Sequence, residues 1–220
     1  MNATAHPDLS GVKYFGRMTA SVSHELKNVL AIINEDAGLI EDLCALSLKG
    51  HPLPPDRLSA VCGTIRAQVR RGDEIVARMN RFAHSPDEDV AQFDLNELVE
   101  FAVGLCSRFA DMREAGIAVE PGTGSLVTAP RFPLLHLLTL CLEAALTAAG
   151  RGGIVRIGVR NEETPAVELH IGAAEWPKDA LRPEAAQLAE SLAAVLSGPE
   201  GSGVLRLAFP VRAELKKSTL

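Results

Sequence analysis

The sequence predicts an α+β protein in which an antiparallel helical hairpin precedes an α/β layer. Three observations carry that expectation. From about Leu9 to Leu48 there is no proline, and apolar residues return every three, four or seven positions. A second stretch of the same kind, from about Asp56 to His84, follows a short proline-rich break. From Phe93 onward, helical periodicity exchanges with short runs of every-other-residue alternation.

The first stripe is Phe15, Val22, Leu26, Val29, Ile33, Ile40 and Leu43. The segment Lys49-Gly50-His51-Pro52-Leu53-Pro54-Pro55 cannot continue a helix, because proline lacks the backbone donor and clashes with the preceding turn. The second stripe is Leu58, Val61, Ile65, Val69, Ile75, Val76, Met79 and Phe82. Two long amphipathic helices joined by a tight turn form a hairpin that cannot bury both stripes by itself. Pairing with a second copy gives a homodimeric four-helix bundle, the simplest solution; packing on the C-terminal half of the same chain is the alternative.

Residues 1–84 thus form the hairpin, 85–92 a polar, acidic linker, 93–213 the α/β domain, and 214–220 a tail without pattern. A helix opens at Phe93-Asp94-Leu95-Asn96-Glu97-Leu98, with Asp94 as N-cap and Glu97 completing a capping-box pattern, and runs to about Glu114. Short β-like runs follow at Ile117–Val119 and Ser125–Val127, then a helix from Phe132 to Ala149 that stops at Gly150. Gly153–Arg160 and Ala166–Ile171 alternate as strands around a turn-like Asn161-Glu162-Glu163-Thr164-Pro165. A helix over Arg182–Ser197, clearest from Pro183 to Leu196, and a strand Gly203–Val211 close the chain, with a glycine-rich turn at Gly198, Gly201 and Gly203. One sheet with helices on a single face is expected.

Composition narrows the function. About half the residues are apolar (47%), which is ample for a core, and only 4% are aromatic, which favours helices packed through Leu, Val, Ile and Ala. A formal net charge of −6 argues against general affinity for nucleic acid or anionic membranes. Cys44, Cys62, Cys106 and Cys141 lie far apart in apolar helical patterns and read as buried, reduced thiols. The opening MNATAHPDLS shows no signal-peptide pattern. In the apolar Phe132–Ala149 helix, His136, Thr139, Glu143 and Thr147 make one polar stripe, which suits a cytoplasmic domain with one exposed helix face rather than a membrane span.

The chemistry centres on Ser21-Val22-Ser23-His24-Glu25-Leu26-Lys27-Asn28-Val29-Leu30. At roughly 100° per residue, Val22, Leu26, Val29, Leu30 and Ile33 share one face, and His24, Asn28, Ala31 and Glu35 the opposite one. A neutral imidazole is nucleophilic near neutral pH. Glu25 beside it could accept the other ring proton, and Asn28, one turn on, could orient a water or a phosphoryl oxygen. An exposed histidine on a helix is also commonly a solvated residue, and His51, His84 and His136 read that way. The segment is not a zinc motif, because Asn28 replaces the second histidine of HExxH.

In context, Ser23-His24-Glu25-Leu26-Lys27-Asn28-Val29-Leu30 resembles the H-box of two-component sensor histidine kinases, with Val29 where proline is common. The resemblance covers the hairpin, Leu9 to His84, and continues into Phe93-Asp94-Leu95-Asn96-Glu97-Leu98, which is similar to the start of the attached ATP-binding domain. It implies a dimerisation and phosphotransfer hairpin followed by a reduced Bergerat-type α/β sandwich. It also implies that His24 is the phosphoacceptor, Glu25 the acid/base and Asn28 an assistant in removing phosphate from a partner.

The second half departs from that family. Thr139 and Glu143 stand where asparagines would hold Mg²⁺ and phosphates, and Ala173 and Ala174 fall where an Asp-x-Gly-x-Gly turn would meet the nucleotide. The expectation is a histidine phosphotransferase without ATP, relaying phosphoryl groups between receiver-domain aspartates, with Mg²⁺ supplied by the partner. Its partners would be response regulator receiver domains and an upstream hybrid histidine kinase. Arg66, Arg70, Arg71, Arg78 and Arg81 would meet a receiver's acidic pocket, although solvated arginines on a helix are the commoner explanation. The alternatives are an ATP-dependent kinase with a divergent nucleotide site and a non-catalytic module that binds response regulators.

Overall fold

The computed structural model describes residues 9–87, 90–122, 124–161, 163–172, 176, 181–198 and 203–209. It is an α+β chain in two compact units, one holding Phe15–Ala83 and the other the described residues up to Tyr14 together with those from His84 on.

The helical unit is the expected hairpin. Helix α1 (Leu9–Leu48) runs unbroken for 40 residues and supplies residues to both units. Helix α2 (Pro55–Ala83) begins on a proline, whose missing N–H costs nothing in a first turn. Between them the chain turns through Gly50 at φ 88°, a left-handed conformation that glycine adopts without strain. Within the hairpin Val22, Val29 and Leu43 of α1 and Val61, Ile75 and Phe82 of α2 are buried. Phe15 stacks on Phe82 with ring centroids 5.2 Å apart. Gly72 lets the helices approach closely, since a Cβ there would already touch Val29 Cγ1 at 3.5 Å.

The α/β unit contains β1 (Ala91–Asp94), α3 (Leu95–Met112), β2 (Gly116–Val119), β3 (Leu126–Ala129), α4 (Arg131–Ala149), β4 (Ile154–Asn161), β5 (Pro165–His170), α5 (Pro183–Ser191), β6 (Val195–Ser197) and β7 (Val204–Ala208). Five strands form one sheet in the order β2-β4-β5-β7-β6, parallel between β2 and β4 and antiparallel elsewhere. Strands β1 and β3 pair separately, so there are two sheets where one was expected. Val155, Ile157, Val159, Val167, Leu169, Leu205 and Leu207 are buried on the five-stranded sheet, and α3 and α4 pack against it and each other. Charged side chains alternate with these: Glu168 accepts from Arg160 Nε and Arg206, both at 3.1 Å, and Glu120 from Arg160 at 2.6 Å. This ladder spans the sheet from the β2 end to β7.

The last helix is shorter than expected. It stops at Ser191, and β6 occupies Val195–Ser197, which the sequence reading gave to an unbroken helix. Ala194 N–H reaches back to Ala189 O at 2.8 Å and Ala193 N–H to Glu190 O at 3.0 Å, a Schellman-type stop with Ala193 at φ 51°. Glycine usually marks such a stop, so an alanine there hides the helix end from a sequence reading. β6 and β7 then pair antiparallel, as the hairpin reading of the glycine-rich turn requires. The final strand is described to Ala208; the expected extension to Val211 and the 214–220 tail lie outside the described residues.

The cysteine reading holds for half the thiols. Cys106 and Cys141 are buried, and burial pushes the Cys141 thiol up to about 12. Cys44 and Cys62 are exposed, because each lies next to a buried stripe residue, Leu43 or Val61, and so points a quarter-turn away from the packed face.

Asp94 is the expected N-cap. Its Oδ1 accepts from Asn96 N at 2.8 Å and from Asn96 Nδ2 at 2.9 Å. The Asn96 backbone N–H holds the carboxyl below its ordinary 3.8, against an opposing effect of burial, with further help from the Asn96 side chain and Ser125 N–H. A depressed folded value means the stabilisation is complete above the unfolded value and is lost as pH falls through the folded one. Asp94→Asn keeps an acceptor at the cap without a titrating group. Its unfolding free energy in urea should match wild type near pH 7 to within about 0.5 kcal/mol, yet fall less steeply than wild type below about pH 4. Parallel acid curves for the two proteins would show that Asp94 contributes nothing to acid unfolding.

Candidate functional site: an open face of the first helix

About four turns of α1, from Ser21 to Glu35, carry the candidate residues. Val22 and Val29 are buried and fix the rotation of the helix; Leu26 is half-buried between them. The opposite side is open: Ser23, His24, Lys27, Asn28, Ala31 and Glu35 are all exposed. His24 and Asn28 stand one turn apart on that face, as expected from the period of the helix. Leu30, expected on the packed face, is 56% exposed.

Glu25 takes a different direction from its neighbour. Its carboxylate lies against α2, where Oε2 is 3.8 Å from Arg78 NH1, and the two side chains are only 10% and 26% exposed. Arg78 therefore does not stand with Arg66, Arg70, Arg71 and Arg81, which are exposed. The sequence reading grouped all five, because helix periodicity alone says nothing of which α2 residue meets which α1 residue. Only the register of the hairpin brings Arg78 to Glu25.

The polar stripe of α4 is also placed differently from the expectation. His136, Thr139 and Glu143 are buried, and only Thr147 is exposed. α5 packs on α4, with Glu184 Oε1 3.5 Å from His136 Nε2, and Tyr14 lies flat on the His136 ring at a centroid distance of 4.1 Å. Thr139 turns its hydroxyl back to His136 O at 2.8 Å, a bond within its own helix. The stripe failed as a guide to exposure because other elements cover this face, and His136 and Thr139 find partners inside the fold, which lowers the cost of burying them. α4 is the one helix among the described residues long and apolar enough to span a membrane, and most of it is buried in the α/β unit. Ala173 and Ala174 lie outside the described residues. Among the described residues no cluster of His, Cys, Asp and Glu could hold a metal ion.

No family model matches the sequence, and no curated protein matches it. Among solved structures the chain is similar to the catalytic domain of the histidine kinase ThkA, at 15% identity over 56% of this chain and 97% of that one, with a TM-score of 0.47. It is similar to the Acinetobacter baumannii histidine kinase AdeS at 12% identity over 86% and 98% of the two chains, with a TM-score of 0.46. A bacterial phosphotransferase aligns at 13% identity over 94% and 98%, with a TM-score of 0.47. The structural neighbours of this α+β chain are thus histidine kinases and a phosphotransferase; at these identities and scores they assign no activity to it.

Proposed function

We propose that this chain is a cytoplasmic histidine phosphotransferase of a two-component phosphorelay, with His24 as phosphoacceptor and receiver domains of response regulators as partners. The observation that supports it most is the pair His24 and Asn28 on the open face of a helix whose other face is packed. A rigid helix holds the ring at a fixed place, and positioning is most of what phosphoryl transfer asks of a protein.

In the proposed step, one neutral ring nitrogen of His24 attacks the phosphorus of an aspartyl phosphate on the partner. The bond from phosphorus to the acyl oxygen breaks, and its electron pair leaves with the aspartate carboxylate. The proton on the other ring nitrogen passes to Glu25, whose carboxylate swings from its contact with Arg78 toward the ring to accept it, and the divalent ion belongs to the receiver. Asn28 is placed to hold a phosphoryl oxygen.

The reading assigns this chain no ATP chemistry. Thr139 and Glu143, at the positions that would face a nucleotide, are buried under other elements of the same unit, and a triphosphate would have to displace that packing to reach them. The reading includes a homodimer, because Leu30, Val69 and Val76 of the hairpin are 56%, 48% and 45% exposed in the single chain.

The test is incubation with a receiver domain carrying labelled aspartyl phosphate. Acid-labile, base-stable label should appear on this chain and pass to a second receiver, with none arising from labelled ATP alone. Label from ATP would turn the reading into that of a kinase.

A further inference from the structure

We propose that the outer edge of β2 is a docking site for an extended, basic segment of a partner protein, which adds to the sheet as a further strand. The site lies wholly within the α/β unit and does not depend on the reading of His24. β2 stands at one end of the order β2-β4-β5-β7-β6, so among the described residues no strand pairs with its outer side. Two bonds fix the direction of its backbone groups: Gly116 N–H donates to Gly153 O and Glu120 N–H to Ile157 O, both at 2.8 Å. Backbone groups alternate along a strand, so the N–H and C=O of Ile117 and Val119 point away from β4, to the open edge. Ala118 and Val119 are exposed, Val119 by 42%. From Gly116 to Val119 there is no charge or proline, and the register with β4 has no bulge, so the edge lacks the devices that guard most edges.

The surroundings of the edge say what such a strand would carry. A pocket of about 340 Å³ opens at the C-terminal end of β2, lined by apolar Val99, Val119, Pro121 and Val159 and by the carboxylates Glu100 and Glu120. That volume is at the lower end of roughly 300–1,000 Å³ for ligand sites and gives room for one long side chain. Val119 pairs with buried Ile157 and so lies on the helix-covered face; a residue opposite it on an added strand points the same way, toward the pocket. The setting is acidic. Helix α3 turns directly into β2 and runs back along it, which sets Glu100 near one end of the edge and Asp111 near the other. Both are exposed, with no ion pair among the described residues. Arg160 is already held by Glu120 at 2.6 Å and Glu168 at 3.1 Å. An apolar stem that ends in a positive charge, as in lysine or arginine, suits both the pocket walls and the carboxylates. A second copy suits them less: antiparallel pairing of two β2 edges would set Glu100 of each copy near Asp111 of the other, like charge on like.

Strand addition takes its affinity from main-chain bonds and its specificity from side-chain pockets, so the test varies the two separately. The full chain, labelled with nitrogen-15, is titrated with a short blocked peptide of alternating valine and lysine, and in parallel with one of alternating valine and glutamate. The lysine peptide should shift the amide signals of Ile117 and Val119 and slow their hydrogen exchange, and the glutamate peptide should bind at least about tenfold more weakly. Val119→Pro removes one outward N–H while leaving the ladder to β4 intact, and should abolish the shifts. Glu100→Lys leaves the edge itself unchanged and should weaken the lysine peptide by about fivefold. Equal binding of the two peptides, shifts centred away from β2 and α3, or no shift at millimolar peptide would overturn the proposal. So would a Val119→Pro chain that keeps the wild-type urea midpoint and binds as wild type does. If the β2 amides become protected as protein concentration rises with no peptide present, the edge serves a second copy and the proposal falls.

Discussion

His24→Gln is expected to abolish the acid-labile label and to lower receiver-to-receiver transfer by about a thousandfold or more, with the fold unchanged. Glutamine keeps a polar side chain of similar reach but has no nucleophilic ring nitrogen, so the covalent step has no acceptor. The position is exposed on a long helix, and glutamine is a good helix former, so stability should stay within about 0.5 kcal/mol of wild type. The control is His84. It is exposed too, and its Nδ1 lies 2.8 Å from Asp87 Oδ2, an imidazole with a carboxylate that resembles an activated pair more closely than His24 does. It sits just past the end of α2, not on a packed helix face. His84→Gln and His51→Gln should therefore transfer at the wild-type rate. If His24→Gln still takes label and His84→Gln does not, the phosphoacceptor has been misassigned. If His24→Gln signals normally in a reconstituted relay, only binding remains for this chain to do.

The hairpin was legible because its information is local. A 3.6-residue period and a proline-rich break are read from neighbours in sequence, and α1 and α2 begin and end within a residue or so of expectation. The outward face of α1 followed from the same period. What the sequence hid is of two kinds. One is the stop without punctuation, where Ala193 takes a left-handed conformation that glycine usually signals, so that β6 looked like the end of α5. The other is any fact that depends on register between distant elements. The Glu25–Arg78 contact and the burial of His136 and Glu143 are of this kind, since each is set by which side chain of one element falls opposite which of another. Polar residues spaced along one helix face advertise exposure only if nothing covers that face, and on α4 something does.

The largest loss of stability is expected from Tyr14→Ala, a residue that the sequence places in the hairpin helix and the structure places in the α/β unit. Tyr14 is fully buried, stacked on His136 with the planes 7° from parallel and packed against Phe132 at a centroid distance of 5.4 Å. Truncation removes two aromatic contacts and leaves a cavity in a densely packed site, for a cost of about 3–5 kcal/mol. Tyr14→Phe keeps the ring and should cost less than about 1.5 kcal/mol. The readout is hydrogen exchange of the α4 amides together with the denaturant midpoint of the α/β unit. Faster α4 exchange in Tyr14→Ala, with exchange in α2 little changed, is the expected pattern, because the cluster belongs to the same compact unit as α4. Slow α4 exchange in that variant would mean that the first turns of α1 contribute nothing to the unit, and that His136 is held by Glu184 and its own helix alone.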